Sequence, residues 1–61
     1  MDYHKVTRDD CVSVATPDDK ARLDVISDFY LLKALALRWC SANGYKLGGY
    51  LGNWCWDGTR R

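Results

Sequence analysis

The sequence predicts an α+β domain in which one long central helix, from about residue 17 to about residue 41, packs on a small antiparallel sheet made by an N-terminal hairpin and a C-terminal hairpin. Three observations carry this prediction. A helix-start signal stands at Thr16-Pro17-Asp18-Asp19. No Gly or Pro follows until Gly44. Beyond Gly44 the chain becomes short aromatic and aliphatic runs separated by Gly48-Gly49, Gly52-Asn53 and Asp57-Gly58.

The 61 residues set the scale of the problem. They suit one domain spanning the whole chain, and a domain of that size buries only about 60% of its unfolded surface. Its core therefore has little margin, and small scaffolds commonly gain from a partner, a metal or disulfides. A hydrophobic content of 48%, with three Trp and four Tyr, excludes the composition of a disordered chain. The net charge of +1 excludes strong long-range steering toward nucleic acid or an anionic membrane. The charges are nonetheless segregated. Seven carboxylates lie at or before Asp28, whereas Asp57 alone follows, against Lys33, Arg38, Lys46, Arg60 and Arg61.

At the N-terminus, Tyr3–Thr7 and Cys11–Ala15 flank the polar turn Arg8-Asp9-Asp10. Two readings compete. The β-branched Val12 and Val14 alternate as in a strand, which gives a hairpin and is the favoured reading. Thr7 as N-cap with Asp10 three residues on gives instead a short helix through Ala15. The polar segment after Met1 has no apolar core of the kind a secretory signal carries, and the apolar run around Phe29–Leu37 is too short to span a bilayer. A cytoplasmic location is expected, in keeping with an odd count of three Cys.

The central helix begins where the Thr16 hydroxyl caps an orphan N–H, Pro17 has no N–H to leave unpaired, and Asp18 and Asp19 meet the positive end of the dipole. It ends at Asn43-Gly44, where Gly44 supplies a left-handed C′ residue. On a wheel of 100° per residue, Val25, Phe29, Leu32, Ala36 and Cys40 form one apolar stripe. Ile26, Tyr30 and Leu37 widen one flank, and Ala21 and Trp39 the other. The polar strip of Lys20, Asp24, Ser27, Asp28 and Arg38 also holds Leu31 and Leu35. That arc is wider than the ~100° stripe of an ordinary surface helix. Leu31, Leu35, Tyr30 and Trp39 are therefore expected to touch another protein or a second copy of the chain.

The C-terminal segment reads as a hairpin through Gly52-Asn53, with Gly48 and Gly49 marking a bulge or a close approach to the helix. Simple alternation puts Trp54 and Trp56 on one face and Cys55 on the other. The stretch from Ala36 to Gly49, an apolar helix ending in Gly44 and followed by Tyr45-Lys46-Leu47-Gly48, resembles the helix-to-strand junction of small uncharacterised βαβ domains. The resemblance covers about a quarter of the chain. It implies a helix-plus-sheet fold and brings no chemistry with it.

Little in the chain suggests catalysis. Cys11, Cys40, Cys55 and His4 make a Cys₃His set by count, yet none of the paired spacings of structural zinc sites is present. No cofactor or metal is expected. Free Cys on an apolar stripe usually acts as a small hydrophobe. The one histidine has no predicted nucleophile beside it, and the glycines lack the Lys-Ser/Thr that follows a phosphate loop. The expectation is a non-enzymatic binding or regulatory domain. The alternative is a nucleic-acid-binding module, in which Tyr50, Trp54 and Trp56 stack on bases while Lys46, Arg60 and Arg61 contact phosphates.

Overall fold

The structure, a computed structural model, describes residues 3–26 and 28–61. Asp2, and Ser27 of the expected polar strip, lie outside the described residues. The architecture is α+β. In chain order the elements are β1 (Tyr3–Val6), α1 (Arg8–Ser13), α2 (Pro17–Val25), α3 (Phe29–Asn43), β2 (Tyr45–Gly52) and β3 (Cys55–Arg60). The sheet is antiparallel in the order β1-β3-β2, so the last strand is central.

The N-terminal hairpin does not form. Tyr3–Val6 is a strand, but its partner is β3, with His4 opposite Gly58 and Val6 opposite Trp56. Residues 8–13 are helical instead. The Thr7 hydroxyl accepts from the Asp10 amide at 3.3 Å, and the Asp10 carboxylate accepts from the Thr7 amide at 3.2 Å. Two reciprocal bonds of a capping box outweigh the modest strand preference of Val12 and Val14. The helix also drives Cys11 into the core, where its thiol donates to the Leu32 carbonyl at 3.4 Å.

The long helix is divided. Its start follows the sequence, with Thr16 and Asp19 forming a second capping box. Ile26 is extended, and Asp28 starts α3 by accepting from the Leu31 amide at 3.1 Å. Arg22 of α2 reaches the other Asp28 oxygen at 3.5 Å. An interior Asp thus ends one helix and begins the next, with no Gly or Pro needed. The break resets the helical phase. Val25, expected on the core stripe, is 83% exposed, whereas Leu35, expected on the polar strip, is 1% exposed.

In α3 the inward row is Leu32, Leu35, Ala36 and Cys40, with Phe29, Leu31 and Trp39 half-buried beside it. These positions follow the i, i+3, i+4 spacing of one helix face. Val6 and Trp56 complete the core from the sheet, and Cys11 and Leu23 from the shorter helices. At its end α3 has the expected left-handed Gly44, with φ of 78°. The close approach of helix to sheet falls at Gly58. A Cβ there would lie 3.0 Å from the His4 carbonyl oxygen, 3.0 Å from a Val6 methyl and 3.7 Å from the Cys40 sulfur.

The expected bulge is present, and it changes which side chains face the helices. Leu47 pairs with Gly58, but Tyr50 pairs with Trp56, so β2 gains a residue between them. A second shift precedes the pairing of Gly52 with Cys55. With a side-chain period of two, one extra residue flips every later side chain. Tyr50 therefore joins Trp56 on the helix side, while Lys46 lies with Thr59 on the opposite face.

Candidate interaction surface

The sequence points to Leu31, Leu35, Tyr30 and Trp39 as a contact surface, and the fold separates them. Leu35 belongs to the core and is unavailable to a partner. Leu31 is half-buried against that core. Trp39 is half-buried and has neighbours in its own chain: it stacks on His4 with centroids 4.6 Å apart and on Tyr45 at 5.6 Å. Tyr30 alone of the four is freely presented, at 80% exposure.

Other apolar side chains take the places of the buried ones. Val25 is 83% exposed and Ile26 54%, both at the end of α2. Leu37 is 51% exposed and lies seven residues after Tyr30, hence on the same side of α3. Within α3, Tyr30 and Leu37 fall opposite the row of Leu32, Leu35 and Ala36, and the Asp28 cap separates this face from the polar residues of α2.

Tyr30 is backed by aromatic rings. Phe29 meets Tyr30 edge-on at 5.7 Å and Tyr50 edge-on at 5.0 Å. It also approaches Trp56 at 5.7 Å and Trp54 at 6.3 Å. Tyr50 in turn contacts Trp56 at 5.1 Å. Edge-to-face arrangements at such separations are favourable beyond simple area burial. A chain of rings thus connects the fully buried Trp56 to the exposed Tyr30.

The residues proposed to meet nucleic acid do not converge. Trp56 is 1% exposed and cannot offer a stacking face. Trp54 sits in the β2–β3 turn rather than in β3, half-buried, and its amide donates to the Tyr50 hydroxyl at 2.9 Å. Lys46 and Tyr50 occupy opposite sides of the sheet. Arg61 turns back on the fold, its amide donating to the Gly44 carbonyl and its side chain to the Tyr45 carbonyl at 3.2 Å each. Arg60 is exposed.

The reactive groups are used structurally. Cys11, Cys40 and Cys55 are buried and unpaired with one another. Burial pushes the Cys11 thiol up to about 11, with the Asp10 charge adding to the effect, and burial also raises that of Cys40. A thiol held protonated is a weak nucleophile. His4 Nε2 lies 3.0 Å from the Asp10 carboxylate. Among the described residues, no group of three or more His, Cys, Asp or Glu is placed to hold a metal ion. Among the same residues, no helix is long and apolar enough to cross a membrane. Comparison of the chain with protein-family models, with curated proteins and with solved structures gives no match.

Proposed function

We propose that this chain is a small non-enzymatic protein-binding domain of regulatory character, acting in the cytoplasm, that docks through the apolar surface around Tyr30. The occupant is a second copy of the chain or another protein. The supporting observation is the exposure of Tyr30 at 80% beside Phe29, which meets it edge-on at 5.7 Å and itself packs on Tyr50 and Trp56. A tyrosine has only two side-chain torsions to fix when a partner covers it, and aromatic side chains are enriched at contact hot spots. Val25, Ile26 and Leu37 are further exposed apolar side chains, and covering the part of each that the fold leaves open contributes a share of the roughly 1.5–3 kcal/mol that full burial of such a side chain brings. The three free, buried thiols accord with a reducing compartment.

The test is solution mass by light scattering over a concentration series, with affinity capture in parallel, on the wild type and on a Tyr30→Ser/Leu37→Ser variant. Both positions point to solvent, so the variant keeps the wild-type circular dichroism and melting profile. The wild type is expected to self-associate or to capture a protein that the variant releases. A wild-type chain that stays monomeric, and that captures nothing the variant does not capture equally, overturns the reading.

A further inference from the structure

On the side of the molecule formed by α1 and α2 the structure has a cavity of about 190 Å³, partly open to solvent and lined by Arg8, Val12, Lys20, Leu23 and Asp24. Its origin is local. Arg8 and Val12 are one turn apart on α1, and Lys20, Leu23 and Asp24 share one face of α2. The connection of residues 14–16 folds these two faces toward each other. Leu23, 5% exposed, and the half-buried Val12 give the cavity an apolar floor.

The charges at its rim have no ion-pair partner among the described residues. Among these residues, Arg22 pairs with Asp28 and Arg38 with Asp19, while Asp10 lies 3.0 Å from His4 Nε2. Arg8, Lys20 and Asp24 take part in none of these contacts, and among the described residues their side chains make no hydrogen bond. Two cations and one carboxylate thus line the cavity above an apolar floor, an excess of one positive charge.

The geometry points to a small-molecule site for a monocarboxylate with a short branched aliphatic body, the carboxylate held between Arg8 and Lys20 and the body against Val12 and Leu23. Arg offers a planar fork that matches a carboxylate, and Lys adds a mobile point charge. The cavity is smaller than the roughly 300–1,000 Å³ of pockets for larger ligands, which limits the ligand to a few carbons. Asp24 sets the selectivity, because a second carboxylate on the ligand would meet its negative charge. The same chemistry is carried by a free short-chain acid and by the C-terminal leucine of a peptide.

The experiment is an amide NMR titration of the intact chain with isocaproate, N-acetylleucine, glutarate and the uncharged isocaproamide. Isocaproate or N-acetylleucine is expected to shift the amides of residues 8–12 and 20–24 saturably, with a dissociation constant on the order of 1 mM for so small a ligand. The tighter of the two assigns the site to a free acid or to a peptide end. Isocaproamide and glutarate are expected to bind at least about tenfold more weakly. Arg8→Gln/Lys20→Gln, whose changes lie at the rim and leave the spectrum dispersed, is expected to weaken isocaproate about tenfold, and Asp24→Asn to tighten it. Equal binding of isocaproamide, indifference to the Arg8→Gln/Lys20→Gln change, or absence of saturable shifts at these amides overturns the assignment.

Discussion

One carboxylate oxygen of Asp10 accepts two bonds that tie separate elements together: it lies 3.0 Å from His4 Nε2 on β1 and 3.2 Å from the Thr7 amide at the start of α1. The capping box and the strand-to-helix contact are therefore one structure. Asp10→Ala removes both bonds and a favourable charge from the first turn, and is expected to cost about 1–2 kcal/mol. His4→Phe keeps a ring to stack on Trp39, loses the bond to Asp10, and is expected to cost less. Denaturant midpoints for the two variants and their combination check this, because shared bonds make the combined loss smaller than additive.

The buried thiols give the fold an alkaline limit. The Cys11 thiol is raised from 9.0 to about 11 in the fold, chiefly by burial. In the unfolded chain it loses its proton first, so between these values the native state holds more protons. Stability then falls as pH rises. The contribution is whole below the ordinary value and is lost as pH climbs through the folded one. Cys11→Ala is expected to begin less stable at neutral pH and to lose less than the wild type across this alkaline window. Some slope is expected to remain because Cys40 is shifted the same way. Urea melts at a series of pH values read both effects, and identical slopes in the two proteins would contradict the account.

Two leucines two residues apart on α3 have opposite fates, with Leu35 at 1% exposure and Leu37 at 51%. Leu35→Glu places a charge in the core and is expected to unfold the chain. Leu37→Glu is expected to change stability by no more than about 0.5 kcal/mol. Circular dichroism of the two variants distinguishes them directly, and a folded Leu35→Glu protein would refute the helix phase described above.

That phase is also where sequence reading reached its limit. Signals contained within a few residues were legible: Thr16 and Pro17 at a helix start, Gly44 at a helix end, and the bulge at Gly48-Gly49 all stand in the fold. The Asp28 cap was written just as locally, but an Asp inside an unbroken apolar pattern looks like a surface residue until its carboxylate is seen on the Leu31 amide. An uninterrupted helix would turn Val25 inward and Leu35 outward, the reverse of the fold. The pairing of β1 with β3 was hidden for a different reason. Tyr3 and Thr59 meet across almost the whole chain, and no neighbouring residue encodes that contact. Of the inferred surface, Leu35 is lost to the core and Leu31 is half-buried, while Tyr30 is exposed because its position on α3 is outward.

The turn at the tip of the β2–β3 hairpin yields the last prediction. Asn53 and Trp54 have φ of 52° and 59°, as in a type I′ turn, whose preferred residues are Asn and then Gly. Asn53 suits its place. A bulky side chain at the next position is an outlier that costs about 1–3 kcal/mol. The Tyr50 hydroxyl bonded to the Trp54 amide and the approach of the indole to Phe29 offset part of that cost. Trp54→Gly therefore relieves backbone strain while giving up packing of a half-buried ring. The two terms oppose each other at similar size, and the net change is expected to stay within about 1 kcal/mol. Trp56→Ala has no such compensation, since it empties the centre of the core, and about 3–5 kcal/mol is expected. Equilibrium unfolding of both variants makes the comparison. If Trp54→Gly proved as damaging as Trp56→Ala, the indole would be essential to the fold. If it is tolerated as expected, the strained turn carries a tryptophan that folding does not require, beside the ring chain that ends at Tyr30.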